Sequence, residues 1–422
     1  FASGNPFTAE DVAFSVERGM LSPTSYMGSL LSLAGIDDPA QVVVVDDHTV
    51  RFEMDAVTNL FFELLSELNM SIMDKETVLE HTTGDDEWAT EWMVNNMAGA
   101  GPYRLDHVDR GVEFAYEPNP NYWREEFPRN GGVVIKVIPT AADRLLLLRN
   151  GDVDVMRGIP YSEIPTLQEA EAIDVLTYPT IDTRSIALNN NIPPFDDVQV
   201  RQAIAYAIPY EDIINTVWTG HATQLKSPIP EGMPTSDFSF FPYDTDPDRA
   251  RELLEEAGYP DGFETTLFIR ADNADDEAVA VLVQSALGEI GVDVQIEELL
   301  SGAYADRQFN QRDMPMHMFD FISFVNDPFY HFHWLLRSDQ GTNYANYNNP
   351  QVDELIQEGL FESDPERRAE ISRQIQQIHV EESPWIYLAQ PDSVTAMRSN
   401  VHGWAEFPDR IARYWTLWKE TE

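Results

Sequence analysis

The sequence predicts an α/β fold along the whole chain, and three observations point there. Segments with helical spacing alternate with short runs rich in Val, Ile, Leu and Phe, the pattern of strands joined by packed helices. With 43% hydrophobic and 11% aromatic residues, 422 residues can build more than one core. No repeat, low-complexity tract or long linker interrupts the alternation.

The elements follow in order. In FTAEDVAFSVERG, Thr8 reads as an N-cap with Asp11 three residues on, and Val12, Ser15, Val16 and Gly19 recur at helical spacing. VVVVDDHTVRFEM alternates as a hairpin turning at Asp46-Asp47, and TNLFFELLSELNM (58–70) reads as a helix. GAGPYRLDHVDRGVEFAYEPNPNYW is a second hairpin with Gly111 in its turn. The strand VVIKVIP, the helix TAADRLLLLRNG ending at Gly151 and the strand DVDVM form a βαβ unit. Such a unit calls for a mixed or parallel sheet.

TRSIALNN is a strand, and FDDVQVRQAIAYAI a helix with Val200, Ala203, Ile204 and Ala207 on one face. PYEDIINTVWTG restarts as a helix between Pro209 and Gly220. DPDRARELLEEAGY, TTLFIR, EAVAVLVQSALGEIG and VDVQIEEL make an αβαβ set, and FDFISF another strand. PERRAEISRQIQQIHVEE and PWIYLAQ close as helix and strand.

Charge separates this chain from an ordinary globular protein. Asp plus Glu total 73 against 27 Lys plus Arg, a net charge of −46, and the only lysines are Lys75, Lys136, Lys226 and Lys419. Such charge repels nucleic acid and anionic lipid and strains a compact fold, unless molar salt shortens the Debye length to about 3 Å. Acids spread along the whole chain with scarce lysine read as adaptation to brine. The absence of cysteine excludes disulfides, thiolate metal sites and thiol nucleophiles. No apolar run approaches a membrane span.

Several segments together resemble the peptide- and nickel-type (family 5) solute-binding proteins of ABC importers. These are PFTAEDVAFSVER, GAGPYRL followed by NPNYW, RLLLLRNGDVDV, PPFDDVQVRQAIAYAI, DPDRARELLEEAGYPDGF, ANYNNPQVDELI and EESPWIYLAQ, in the family's order. The resemblance implies a two-lobed periplasmic-binding-protein-like fold of the large, peptide-binding type II class, with mixed sheets and a hinge. It implies a small accessory domain at 1–74, a first lobe from 75–180 and 396–422, and a second lobe at 181–395. The family's opening strands, signal peptide and any lipid-anchoring cysteine are expected ahead of Phe1. Where the family carries Asp-Arg at a helix start, this chain has Pro209-Tyr210.

A crevice between lobes needs aromatic surface and a few charged anchors. Arg157 directly follows DVDVM, in a loop that the resemblance places at the cleft; its guanidinium would hold a carboxylate, or else pair with one of the chain's own acids. Arg184 is a second candidate for that task. Tyr26 and Met27 face the cleft in relatives, and Asn343, Tyr344 and Tyr347 lie in GTNYANYNNP. Core packing is the competing reading for each aromatic residue.

The stretch ISFVNDPFYHFHWLL (322–336) holds the remaining candidates: Phe324, Asn326, Asp327, Tyr330, His331 and His333. It is shorter than in peptide-binding relatives, so their amine-binding Asp has no safe counterpart in Asp327. As a metal pair, His331 and His333 sit two apart, on different faces of a helix, with no third ligand nearby. The stretch reads instead as a pocket wall. DTDPDRARELLE mimics a calcium loop but puts Arg249 where the turn needs Gly, so Asp246-Pro247 reads as N-cap and first helical residue.

No HExxH, GxSxG, Walker or Rossmann signature is present, and adjacent acids such as Glu381-Glu382 are expected at this acid content. The expectation is a non-enzymatic, cofactor-free, monomeric solute-binding component, extracellular and lipid-anchored at the membrane's outer face. It would bind a peptide or similar polar solute and deliver it to a membrane permease. An oligosaccharide or nickel-chelate binder of the same fold is the alternative, and a hydrolase using the acidic pairs the rival of another class.

Overall fold

The computed structural model describes residues 1–67 and 70–420, and its contacts divide the chain into two units. The first is Phe1–Leu176 with Val394–Glu422, and the second is Thr177–Ser393. The stretch 1–74 falls within the first unit, and the chain passes between units after Leu176 and after Ser393.

In the second unit, β-branched and aromatic runs pair into one six-stranded mixed sheet. Its order is Val292–Leu299, Phe263–Arg270, Met316–Phe321, Thr183–Leu188, Trp385–Pro391 and Ala222–Gln224. Phe263–Arg270 runs parallel to Val292–Leu299 and Met316–Phe321, while Thr183–Leu188 is antiparallel to both neighbours. Every residue of Trp385–Pro391 is buried, as a strand covered on both faces must be. Trp385 packs edge-on to Phe319 at 5.0 Å and to His379 at 4.6 Å.

Four helix starts in this unit follow one chemical device. Asp246, Asp327, Asn349 and Asp364 each accept a backbone N–H with the side chain, and a proline follows each as the first helical residue. The carboxylate or amide satisfies an orphan donor, and proline sits where it needs none. Helix Pro350–Phe361 approaches helix Pro328–Leu336 closely at Gly359, where a Cβ would lie 1.8 Å from Phe329.

The first unit is built from smaller pieces. Helix Ala9–Leu21 starts where Asp11 accepts from both N–H and Oγ1 of Thr8 at 2.8 Å. Tyr103–Asp109, Glu113–Pro118 and Val133–Lys136 form an antiparallel three-stranded sheet. Val155–Arg157, Ser393–Arg398 and Ile173–Tyr178 form another, with helix Ala141–Asn150 ahead of it in the chain. Leu145, Leu148, Met156, Leu167 and Ala396 fill the core beneath this second sheet. The helix expected over 58–70 is realised at Phe61–Leu65, and Leu68 and Asn69 lie outside the described residues.

Candidate functional site

In the second unit the parallel strands end together at Arg270, Leu299 and Phe321. Open α/β sheets bind ligands outside the carboxyl ends of their strands. Four charges gather there. Arg184 stands opposite Asp320 in the antiparallel register, 3.0 Å away. Arg270 pairs with Asp320 on one side and with Asp276 at 2.9 Å on the other. Burial pushes the Asp276 carboxyl up. Burial also acts on Asp320, but the Arg184 and Arg270 guanidiniums outweigh it and hold that carboxyl below its ordinary range. Nε of Arg184 has no hydrogen-bond partner among the described residues, so this guanidinium has donor capacity to spare.

The stretch 322–327 leaves the sheet beside these charges. Phe324, 45% exposed, and Asn326 face solvent. Asp327 turns inward instead: it caps helix Pro328–Leu336 through Phe329 N–H at 2.8 Å and pairs with Arg368 at 2.8 Å. Tyr330, His331 and His333 are buried in the same helix. The His331 ring meets Phe321 edge-on at 4.8 Å, and His333 meets Trp334 at 4.9 Å. Burial drives the His331 imidazole down to about 3, and burial with Arg337 drives His333 to about 4. Both rings are therefore core side chains at neutral pH, and only the start of the stretch, at Phe324 and Asn326, is solvent-facing wall. Among the described residues no three His, Cys, Asp or Glu side chains gather as a metal site.

Asn343 and Tyr347 also have internal work. Asn343 donates to the carbonyls of Arg337 and Tyr347 and accepts from Tyr347 N–H at 3.0 Å, which pins the 343–347 turn. The Tyr347 ring packs on His379 at 5.0 Å. Tyr344 packs on Phe319 at 5.1 Å. Asn343 and Tyr347 are buried, whereas Tyr344 is partly exposed.

In the first unit Arg157 ends its strand half-buried. It donates to the Arg410 carbonyl at 2.9 Å, lies 3.7 Å from Glu406 and stacks 5.9 Å from the Trp404 ring. Glu406 also pairs with Arg410 at 3.2 Å, so two guanidiniums share one carboxylate. A cavity of about 590 Å³ opens beside Arg157, with Arg144, Tyr414 and Trp418 in its lining. Tyr26 is 76% exposed at the start of helix Met27–Leu33, whereas Met27 is buried against Gly19.

Sequence reasoning missed Trp404, Glu406 and Arg410, which meet Arg157 across some 250 residues and carry no local signal. Asp320 and Arg270 did offer one: each is a charge set directly among apolar residues, Asp320 between Phe319 and Phe321 and Arg270 after Leu267-Phe268-Ile269.

A family model described as bacterial extracellular solute-binding proteins, family 5 (Middle), matches residues 1–343. A probable D,D-dipeptide-binding periplasmic protein of Escherichia coli is 28% identical over 412 residues, covering 97% of this chain and 77% of the relative. Heme-binding protein A of Haemophilus influenzae is 27% identical over 421 residues, covering 97% and 76%. Among solved structures, an ABC transporter-associated periplasmic binding protein from Helicobacter pylori, in complex with the peptide STSA, is 27% identical. It superposes with a TM-score of 0.85 over 98% of this chain and 82% of its own.

Proposed function

The chain belongs to the family 5 extracellular solute-binding proteins, and from that premise we propose that it is the receptor of an ABC importer for short peptides. The observation that carries the reading is the family match over residues 1–343, joined to dipeptide- and tetrapeptide-binding relatives that align over nearly the whole chain. The chemistry agrees. A peptide offers a carboxylate, an amine and side chains of mixed character. Arg157, with Arg410 beside it, and Arg184, with its unused donor, suit the carboxylate. Asp320 suits an amine, and Tyr26, Phe324 and Asn326 supply adaptable surface.

The solute shifts a population of conformers by preferring one of them, and leaves unaltered for the permease. The protein works as a monomer outside the cell, held at the membrane by a lipid anchor, and performs no covalent chemistry. The nickel-chelate reading is weaker, because His331 and His333 are buried in their helix. The −46 charge fits work in brine; a melting temperature unchanged between dilute buffer and molar KCl excludes that.

Calorimetry with the tetrapeptide STSA tests the anchors. Arg157→Ala and Arg184→Ala each weaken binding about tenfold, roughly 1.4 kcal/mol; the melting temperature in the absence of peptide is little changed for Arg157→Ala and lowered for Arg184→Ala, which leaves Asp320 paired with Arg270 alone. Unaltered affinity in both variants removes the arginines from the site.

A further inference from the structure

In the charge cluster at the strand ends of the second unit, the two arginines are held unequally. Arg270, the last residue of Phe263–Arg270, donates Nε and Nη2 to the two oxygens of Asp276 at 2.9 and 3.2 Å. Its Nη1 meets Oδ1 of Asp320. All three of its nitrogens are therefore engaged. Arg184 has a single contact of charge, Nη1 to Oδ2 of Asp320 at 3.0 Å. Neither Nε nor Nη1 of Arg184 makes a hydrogen bond among the described residues.

The fixed end of this chain of charges follows from local sequence. Asn273 accepts from the backbone N–H groups of Asp275 and Asp276 and starts helix Ala274–Glu289. That cap sets Asp276 in the first turn, where a helix favours an anion. The Asp276 side chain is 1% exposed, whereas those of Arg184, Arg270 and Asp320 each reach solvent. A guanidinium forked onto a buried carboxylate is rigid, and it holds one oxygen of Asp320 in a set direction. Asp320 cannot then turn both oxygens to Arg184, the two-point pairing that would use up that guanidinium.

We infer that Arg270, locked by Asp276, is a positioning residue: it withholds half of Asp320 from Arg184 and so keeps the Arg184 guanidinium available to the solute's carboxylate. This role rests on Arg184 anchoring the peptide, and adds the residue that keeps the anchor unspent. Without Arg270, the Asp320 carboxylate turns onto Arg184 and closes a two-point pair. A solute carboxylate must then break that pair to bind, and affinity falls.

A double-mutant cycle read by calorimetry with STSA tests it. Arg270→Gln keeps a donor for Asp276, whose carboxyl, already pushed up by burial, takes a proton once its cation is gone. This variant binds STSA about tenfold more weakly than the unaltered protein. In the Arg184→Ala background the same substitution changes affinity by less than about twofold, because no guanidinium is left to keep free. Arg270→Lys, which returns a cation beside Asp320, recovers most of the loss. Arg270→Gln combined with Asp276→Asn leaves a neutral pair and weakens binding as Arg270→Gln does, so the result does not hang on the folding of one variant. Equal losses in both backgrounds make Arg270 a structural residue and overturn the inference. Unaltered binding by Arg270→Gln, with weakened binding by Arg184→Ala, also overturns it and leaves the anchor in place. Unaltered binding by Arg184→Ala removes the anchor and this role together, and no binding of STSA by the unaltered protein removes the peptide reading with them.

Discussion

The two units spend their apolar residues differently. All but four of the exposed large apolar side chains among the described residues lie in the first unit, the four being Val281, Leu300, Phe309 and Phe324. The second unit pairs six strands into one sheet and buries Trp385, Tyr387 and Phe319 against it. Its histidines differ too. His317, His331, His333 and His379 are buried there, whereas His48, His81 and His107 of the first unit are exposed. The contrast separates a body that closes its own core from one whose sheets leave edges and faces uncovered. It also assigns the two halves different sensitivities.

Acid is the strongest way to break that contrast. Burial, with a smaller push from Arg312, takes the His317 imidazole down to about 3, as burial does His331. An imidazole that stays neutral when folded but charges when unfolded stabilises the fold above the unfolded value of about 6.5. That contribution is lost as pH falls towards about 3. At pH 5 each such ring costs about 2 kcal/mol. The raised carboxyls of Asp275 and Asp276 act in the opposite direction at lower pH. Exchange within Trp385–Pro391 should accelerate strongly between pH 7 and pH 5, after correction for intrinsic rates, while exchange within Tyr103–Pro118 should not. Equal acid sensitivity in both sheets contradicts the assignment.

Truncation sharpens the same contrast at single residues. Trp385→Ala removes a fully buried indole from its contacts with Phe319 and His379, and should cost about 4 kcal/mol in denaturant unfolding of the second unit. Gly359→Ala, which drives a methyl into Phe329, should cost about 2 kcal/mol. Trp123→Ala in the first unit deletes a ring that is 78% exposed and should change stability by less than about 0.5 kcal/mol. A Trp123 effect as large as that of Trp385 would mean that the first unit closes a core around it.

What could be read in advance follows the range of the forces involved. Asp246-Pro247 announces its helix because cap and proline act within one turn, and the structure starts that helix at Pro247. The strand–helix–strand succession around RLLLLRNG was legible from periodicity for the same reason, but its two strands pair in separate three-stranded sheets instead of one mixed or parallel sheet. Asp327 was harder. Its neighbours suggest a pocket, but the carboxylate is consumed by its own helix and by Arg368, forty-one residues on. Asn343 misled because polar loop residues look available, and only the closed turn shows its donors spent inward. Arg157, which the sequence places in the loop after DVDVM, is the last residue of its strand. Its companions Trp404, Glu406 and Arg410 belong to a later segment whose approach no local pattern encodes.

The most direct measurement is a titration of the protein with the tetrapeptide STSA and with dipeptides, following melting temperature while mass spectrometry follows the peptide. The account predicts a saturable rise in melting temperature for at least one peptide, recovered intact afterwards. No rise with any peptide, or a peptide returned cleaved, would contradict it.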